Sequence, residues 1–128
     1  MLERLRGLMA ASDELGTLKM DIVRALTAFN GVLWESELYD DIVKVRGEEP
    51  PYAPDPDLVD RALRELEGEG IVAVEERTRS TVFGSRTYRD RLVRLRDPAA
   101  AKEALWEDPV FRAYMARKAE FYRRFAGP

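Results

Sequence analysis

The sequence predicts an α+β fold, mostly helical: a three-helix core and a two-stranded β-hairpin, with a further helix at each end. Three observations predict it. Apolar residues recur at spacings of three and four in three separate stretches between positions 17 and 68. Two strand-like segments, IVAVEERTRSTVF and RTYRDRLVRLR, flank Gly84-Ser85. Asp-Pro pairs stand at 55–56, 97–98 and 108–109, where an N-cap followed by a first-turn proline opens a helix.

Leu2, Leu5, Leu8 and Met9 predict a short amphipathic helix that is spent near Gly16. Thr17 is placed to cap the next helix, whose stripe is Leu18, Ile22, Leu26 and Phe29, and Asn30-Gly31 stops it. Val32-Leu33-Trp34 is a brief strand. Ser36 is placed as the cap of a second core helix, with Leu38, Ile42 and Val45 inward and Gly47 at its end. EEPPYAPDPD (48–57) holds four prolines and predicts a stiff, extended loop. Beyond it Leu58, Val59, Ala62, Leu63 and Leu66 form the buried stripe of the third helix, which ends at Gly68 or Gly70.

Gly84 and Ser85, as the centre of a two-residue type II′ turn, put Phe83 opposite Arg86 and Arg79 opposite Asp90. Asp97-Pro98 then opens a closing helical region. After the break at Asp108-Pro109, Phe111, Tyr114, Met115, Lys118, Phe121, Tyr122 and Phe125 recur along one helix, most of them on one face.

Composition removes several classes of function. The chain of 128 residues contains no Cys and no His. Disulfides, Cys/His zinc sites, thiol nucleophiles and imidazole bases are therefore absent. No phosphate-binding loop, dinucleotide fingerprint or nucleophile elbow occurs, and no carboxylate pair stands out from an acidic background. Neither an enzyme nor a bound metal or cofactor is expected. No apolar run is long enough to cross a bilayer, and MLERLRGLMAASDELG lacks the apolar centre of a signal peptide, so a cytoplasmic location without membrane partners is the expectation.

Charge is divided unevenly. Residues 1–76 carry 8 basic and 18 acidic side chains, whereas residues 77–96 carry seven arginines and one acid, Asp90. Residues 97–111 return to a net −3, and residues 112–128 to a net +4. Arg outnumbers Lys 17 to 4, which a GC-rich or thermophilic genome explains by itself. Position carries the information: a segment at +6 in a chain at −3 points to an electrostatic contact face.

The order helix, short strand, helix, helix, hairpin resembles the winged helix-turn-helix, and ALRELEGEGIVAVEER (62–77) carries the likeness most closely. Leu63, Leu66, Gly70, Ile71 and Val72 match the family's junction between its third helix and first wing strand, and FGSRTYRDRL resembles a wing tip with its return strand. The resemblance covers residues 17–97. It leaves an N-terminal helix over 1–16 and a C-terminal helical extension over 98–128, the place where such regulators add dimerisation helices. One departure matters: the link between the second and third helices is a proline-rich stretch, where DNA-binding members have a tight turn.

The resemblance implies a small homodimeric transcriptional regulator that binds double-stranded DNA. Arg61 and Arg64, one turn apart on the third helix, are its candidates for base reading. Asp57, Asp60, Glu65, Glu67 and Glu69 surround them, so the same face also reads as a solvated, ion-paired surface. Arg77, Arg79, Arg86, Arg89 and Arg91, interleaved with hydroxyl residues, are the candidates for phosphate or minor-groove contact. Arg94 and Arg96 complete the basic segment. Charge that protects an exposed hairpin edge is the competing reading, though one acid among eight charges is lopsided for that role. Phe111, Tyr114, Met115, Phe121, Tyr122 and Phe125 are the expected dimer or core contacts. The alternative from another class is a winged module that docks on a protein and has no DNA affinity, for which the acidic third helix and the proline-rich loop speak.

Overall fold

The computed structural model describes residues 1–126, without the side chain of Ala126. It is an α+β fold of six α-helices and a three-stranded antiparallel sheet. The helices are α1 (Leu2–Met9), α2 (Glu14–Ala28), α3 (Leu38–Arg46), α4 (Pro56–Gly68), α5 (Pro98–Leu105) and α6 (Pro109–Ala126). The strands are β1 (Val32–Trp34), β2 (Val72–Ser80) and β3 (Thr87–Leu95), in the order β1-β3-β2. The three-residue run at Val32 is thus a full edge strand, pairing Val32 with Arg94 and Trp34 with Leu92.

Helix α2 runs through the centre. Leu18, Ile22, Val23, Ala25 and Leu26 are all fully enclosed, and α1, α3, α4, α5 and β3 pack around them. The predicted stripes hold: Ile42 and Val45 of α3, and Ala62, Leu63 and Leu66 of α4, are buried, while Leu58 and Val59 are half-buried against the same core. Each fully buried Leu, Ile or Val among them contributes about 1.5–3 kcal/mol by leaving water.

Three expected boundaries move for identifiable reasons. Helix α1 stops at Met9 instead of reaching Gly16, and Asp13, not Thr17, caps α2 by accepting from the Gly16 N–H at 3.2 Å. Ser36 does not cap α3. It lies in a 3₁₀ turn over Glu35–Glu37, and its Oγ donates to Asp90 at 2.6 Å. Gly47, at φ +77°, does end α3, in the left-handed conformation that glycine adopts without strain.

The hairpin register differs from expectation by two residues. Ser80 pairs with Thr87, Arg79 with Tyr88 and Arg77 with Asp90, leaving a six-residue loop over 81–86. A two-residue turn at Gly84-Ser85 is replaced by a β-turn over 81–84, closed by Gly84 N–H donating to the Thr81 carbonyl at 3.0 Å. Gly84 leaves that turn at φ +82°, and the Thr81 N–H donates to the Arg86 carbonyl at 2.9 Å. A slip of two keeps every side chain on its predicted face, whereas a slip of one would have reversed them all.

A cluster of buried charge fixes the periphery to α2. Arg24 donates from Nε and Nη2 to both oxygens of Asp108, at 2.8 and 2.7 Å, and from Nη1 to Asp21 at 2.8 Å. The second Asp21 oxygen accepts from Arg46 Nε and Tyr52 OH, each at 2.8 Å. Asp108 also caps α6 through the Phe111 N–H at 2.8 Å. Two carboxylates balance two guanidinium groups, so the interior carries no net charge there. The proline-rich loop, the end of α3 and the start of α6 are all held at this one place.

Candidate nucleic-acid interface

Nine-residue strands β2 and β3 reach about 30 Å at the usual rise. Only their inner ends are needed by the core. Val72, Val93 and Leu95 are buried, and Val74 packs beside them, whereas residues 76–89 are exposed apart from half-buried Arg79. The outer hairpin therefore projects beyond the hydrophobic interior, and this projecting part carries Arg77, Arg79, Arg86 and Arg89.

Strand alternation sorts the arginines. Arg77 and Arg79 share one face with their partners Asp90 and Tyr88. Arg89 and Arg91 lie on the opposite face, across from Thr78 and Glu76. Their surroundings then divide them into two groups.

Arg79, from the outer hairpin, and Arg91 tie the hairpin back to β1, the turn that follows it and α4. Arg79 donates from Nη1 to Asp90 at 3.0 Å, a diagonal contact in place of the expected direct pairing, and lies 4.2 Å over the Trp34 ring. Asp90 also accepts from the backbone N–H and the hydroxyl of Ser36 and from the Arg91 N–H. Burial opposes its charge, but the bonds from Ser36, Arg79 and the backbone outweigh it and hold this carboxyl below the usual carboxylate range. Arg91 clasps Glu35 with two bonds, at 3.0 and 2.5 Å, and reaches Asp60 of α4 at 2.8 Å. The Glu35 contacts lead in raising its guanidinium above the ordinary arginine value, against the effect of burial.

Arg77 and Arg89 stand in solvent. Arg77 meets Glu75 at 2.6 Å and Arg89 meets Glu76 at 3.0 Å, with more than half of each arginine side chain exposed. Pairs in that setting are weak and exchange readily for another anion. Arg86 has neither an ion pair nor a side-chain hydrogen bond among the described residues. Arg94 shares Glu75 at 3.3 Å, and Arg96 donates to the Val72 carbonyl at 3.2 Å.

Helix α4 presents mixed charge. Arg61 meets Glu65 at 3.4 Å and Arg64 meets Asp60 at 2.8 Å, both one turn apart along the helix. Asp60 thereby stands between Arg64 and Arg91, joining α4 to the hairpin while placing a carboxylate between two candidate binding cations. Glu65 and Glu69 are drawn toward buried Lys19 of α2.

The aromatic set on α6 divides likewise. Phe111 is buried in the chain's own core, its ring edge-on to Trp106, and so is not presented to a partner. Tyr114 meets Phe29 edge-on, and Met115 packs against the core. Phe121, Tyr122 and Phe125 are exposed and touch one another, with ring centroids 4.8–6.0 Å apart. Arg117 anchors the helix by donating to the Val45 carbonyl at 2.7 Å.

Two features beside the hairpin were not identified from sequence. A groove of about 370 Å³ opens between α2, α3 and the proline-rich loop, walled by Ile22, Leu38, Tyr39, Tyr52, Pro54 and Val59. The stacking of Arg79 on Trp34 is the other; the aromatic residue at the end of β1 was its only trace. Among the described residues no cluster of three metal-ligating side chains occurs, and no helix is long and apolar enough to cross a membrane. No family model matches the chain, and no curated protein matches it.

Proposed function

We propose that the chain is a winged-helix protein that engages double-stranded DNA through its wing, the β2–β3 hairpin, and acts as a small transcriptional regulator. The observation that carries this reading is the projecting hairpin, on which Arg77, Arg86 and Arg89 are exposed and bound at most by one exchangeable surface pair each. The order of α2, β1, α3, α4, β2 and β3, with β1 paired to β3, supports the winged-helix arrangement.

Within this reading the roles differ from one arginine to the next. Arg77, Arg86 and Arg89 meet phosphate, while Arg79 and Arg91 hold the wing at its angle to α4. Helix α4 contributes less. Arg61 and Arg64 are as exposed as the wing arginines and hold pairs as exchangeable, but Asp57, Asp60, Glu65 and Glu67 leave the helix net negative, and it approaches the duplex at a cost that salt screens. Binding led by the wing is then governed by backbone and groove shape more than by base edges. Phe121, Tyr122 and Phe125 supply the contact with a second copy, as expected of a dimeric regulator.

One observation favours a second reading. Asp60, Glu65, Glu75 and Glu76 lie among the candidate cations, and a mixed-charge face suits a protein partner better than a polyanion. The experiment that separates the two is fluorescence anisotropy with random-sequence duplex DNA at low salt. Native protein binds in the micromolar range typical of non-specific contact if the DNA reading holds. A folded protein that binds no duplex belongs to the second reading.

A further inference from the structure

The wing ends in an apolar point that phosphate contact leaves unused. Val82 and Phe83 occupy the two corners of the turn over 81–84, and they are 94% and 95% exposed. No other large apolar side chain of the described residues stands so far into solvent. Turn corners ordinarily carry Gly, Pro, Asn, Asp or Ser, and a solvated phenyl ring forgoes all the benefit of burial. No described residue covers this ring. The turn is closed by the Gly84 and Thr81 N–H bonds at 3.0 and 2.9 Å.

The neighbours of Phe83 are cationic or hydroxylic. In the same loop the Arg86 carbonyl accepts from Thr81, and the Arg86 side chain has no ion pair or hydrogen bond among the described residues; Thr81, Ser85 and Thr87 stand nearby in sequence, and exposed Arg89 follows on β3. An apolar point on a loop that also carries such donors is complementary to a stack of bases between two phosphate strands. We propose that Phe83 is a wedge: it enters the minor groove, opens one base step and bends the duplex, while Arg86 holds the adjacent phosphates. This rests on the DNA reading above and adds to it a site, a ligand surface and a mechanical effect. Side chains inserted in this way kink DNA by about 20–90°. Flexible pyrimidine–purine steps, which unstack at least expense, are the preferred targets. The wing thereby gains sequence preference without a hydrogen bond to any base.

The test uses the full chain, a duplex labelled at both ends for energy transfer, and 2-aminopurine at a central TA step. Native protein should raise the transfer efficiency and the 2-aminopurine emission together. Phe83→Ala should abolish both signals while affinity falls about tenfold, the loss of one base–aromatic stack. Arg86→Ala should weaken binding and lower the salt slope by about one, leaving the bend of the bound complex intact. Because Phe83 makes no internal contact, its replacement leaves the fold unchanged by circular dichroism. Duplex bound without bending, or bent equally by Phe83→Ala, overturns the wedge and leaves the DNA reading standing. No binding by native protein overturns both. Sedimentation with vesicles containing phosphatidylserine, lost in Phe83→Ala while DNA remains straight, reassigns the tip to a lipid surface and also overturns the proposal.

Discussion

The guanidinium of Arg24 grips Asp108 through two parallel hydrogen bonds of 2.8 and 2.7 Å across 84 residues of sequence. Both side chains are almost wholly buried, and Asp108 is at the same time the N-terminal cap of α6. Position of the aromatic helix is therefore set from the centre of the domain.

Removing one member of that cluster should do more harm than any surface change. Arg24→Ala leaves Asp21 and Asp108 buried without their shared cation and is expected to cost about 3–5 kcal/mol. Urea unfolding measures the loss. Hydrogen exchange should show the start of α6 losing protection first, because Asp108 caps that helix from within the cluster. A loss below about 1 kcal/mol would mean that the cluster does not organise the domain.

Asp90 makes stability dependent on acid. Its folded pKa lies below the unfolded value of about 3.9, so its contribution is complete above that value and disappears as pH falls through the folded one. Asp90→Asn should lower stability at pH 7 by about 2 kcal/mol, the scale of hydrogen bonds to a charged group. The gap between native and variant should close between pH 4 and the acid limit of folding in urea titrations. A gap unchanged down to pH 2 would contradict the assignment.

The two classes of hairpin arginine should separate in paired measurements. Arg91→Ala breaks three hydrogen bonds to Glu35 and Asp60 and leaves half-buried Glu35 without its cation, at an expected stability cost of about 2–3 kcal/mol. Arg86→Ala should change stability by less than about 0.5 kcal/mol. Equal stability losses for both variants would remove the distinction between bracing and contacting residues.

Glu76 supplies a gain-of-function prediction. Among the described residues its side chain forms no ion pair but the exposed one with Arg89, so Glu76→Gln should leave folding intact and free a cation for phosphate. DNA affinity at low salt is expected to rise by about three- to tenfold, and the rise should vanish at high salt. On the protein-docking reading, affinity for duplex stays undetectable in both forms.

Much of the fold was legible because local rules and tertiary packing agree. Ile42, Leu63 and Leu66 lie at helical spacing, and Asp55-Pro56 and Asp97-Pro98 cap the helices they were expected to open. What escaped were relations of long range. Asp21 and Arg24 read as ordinary polar positions of a helix, because their partners Arg46, Tyr52 and Asp108 are distant in sequence. The hairpin register escaped for a local reason: Gly84 satisfies both a two-residue turn and the exit of the turn over 81–84, and a slip of two leaves the same faces apolar and polar in either pairing. In the candidate site the arginines themselves were legible, but their division into braces and contacts was not. Arg79 and Arg89 look alike in sequence until Trp34 and Asp90 are seen beside the former.

The exposed end of α6 makes oligomeric state testable. Phe121→Ala with Phe125→Ala removes two rings from an unpartnered face without touching Phe111 or Met115 of the core. Sedimentation equilibrium should show native protein as a dimer and the double variant as a folded monomer. A native monomer would assign that face to something other than a second copy.

The most direct test of the central claim is the salt dependence of duplex binding by native protein and by a variant with Arg77, Arg86 and Arg89 all changed to Ala, which spares the braces Arg79 and Arg91. Three phosphate contacts predict a slope of about −3 in log K against log salt for the native chain, falling toward zero in the variant. A native slope near zero, or one that the variant retains, would contradict the account.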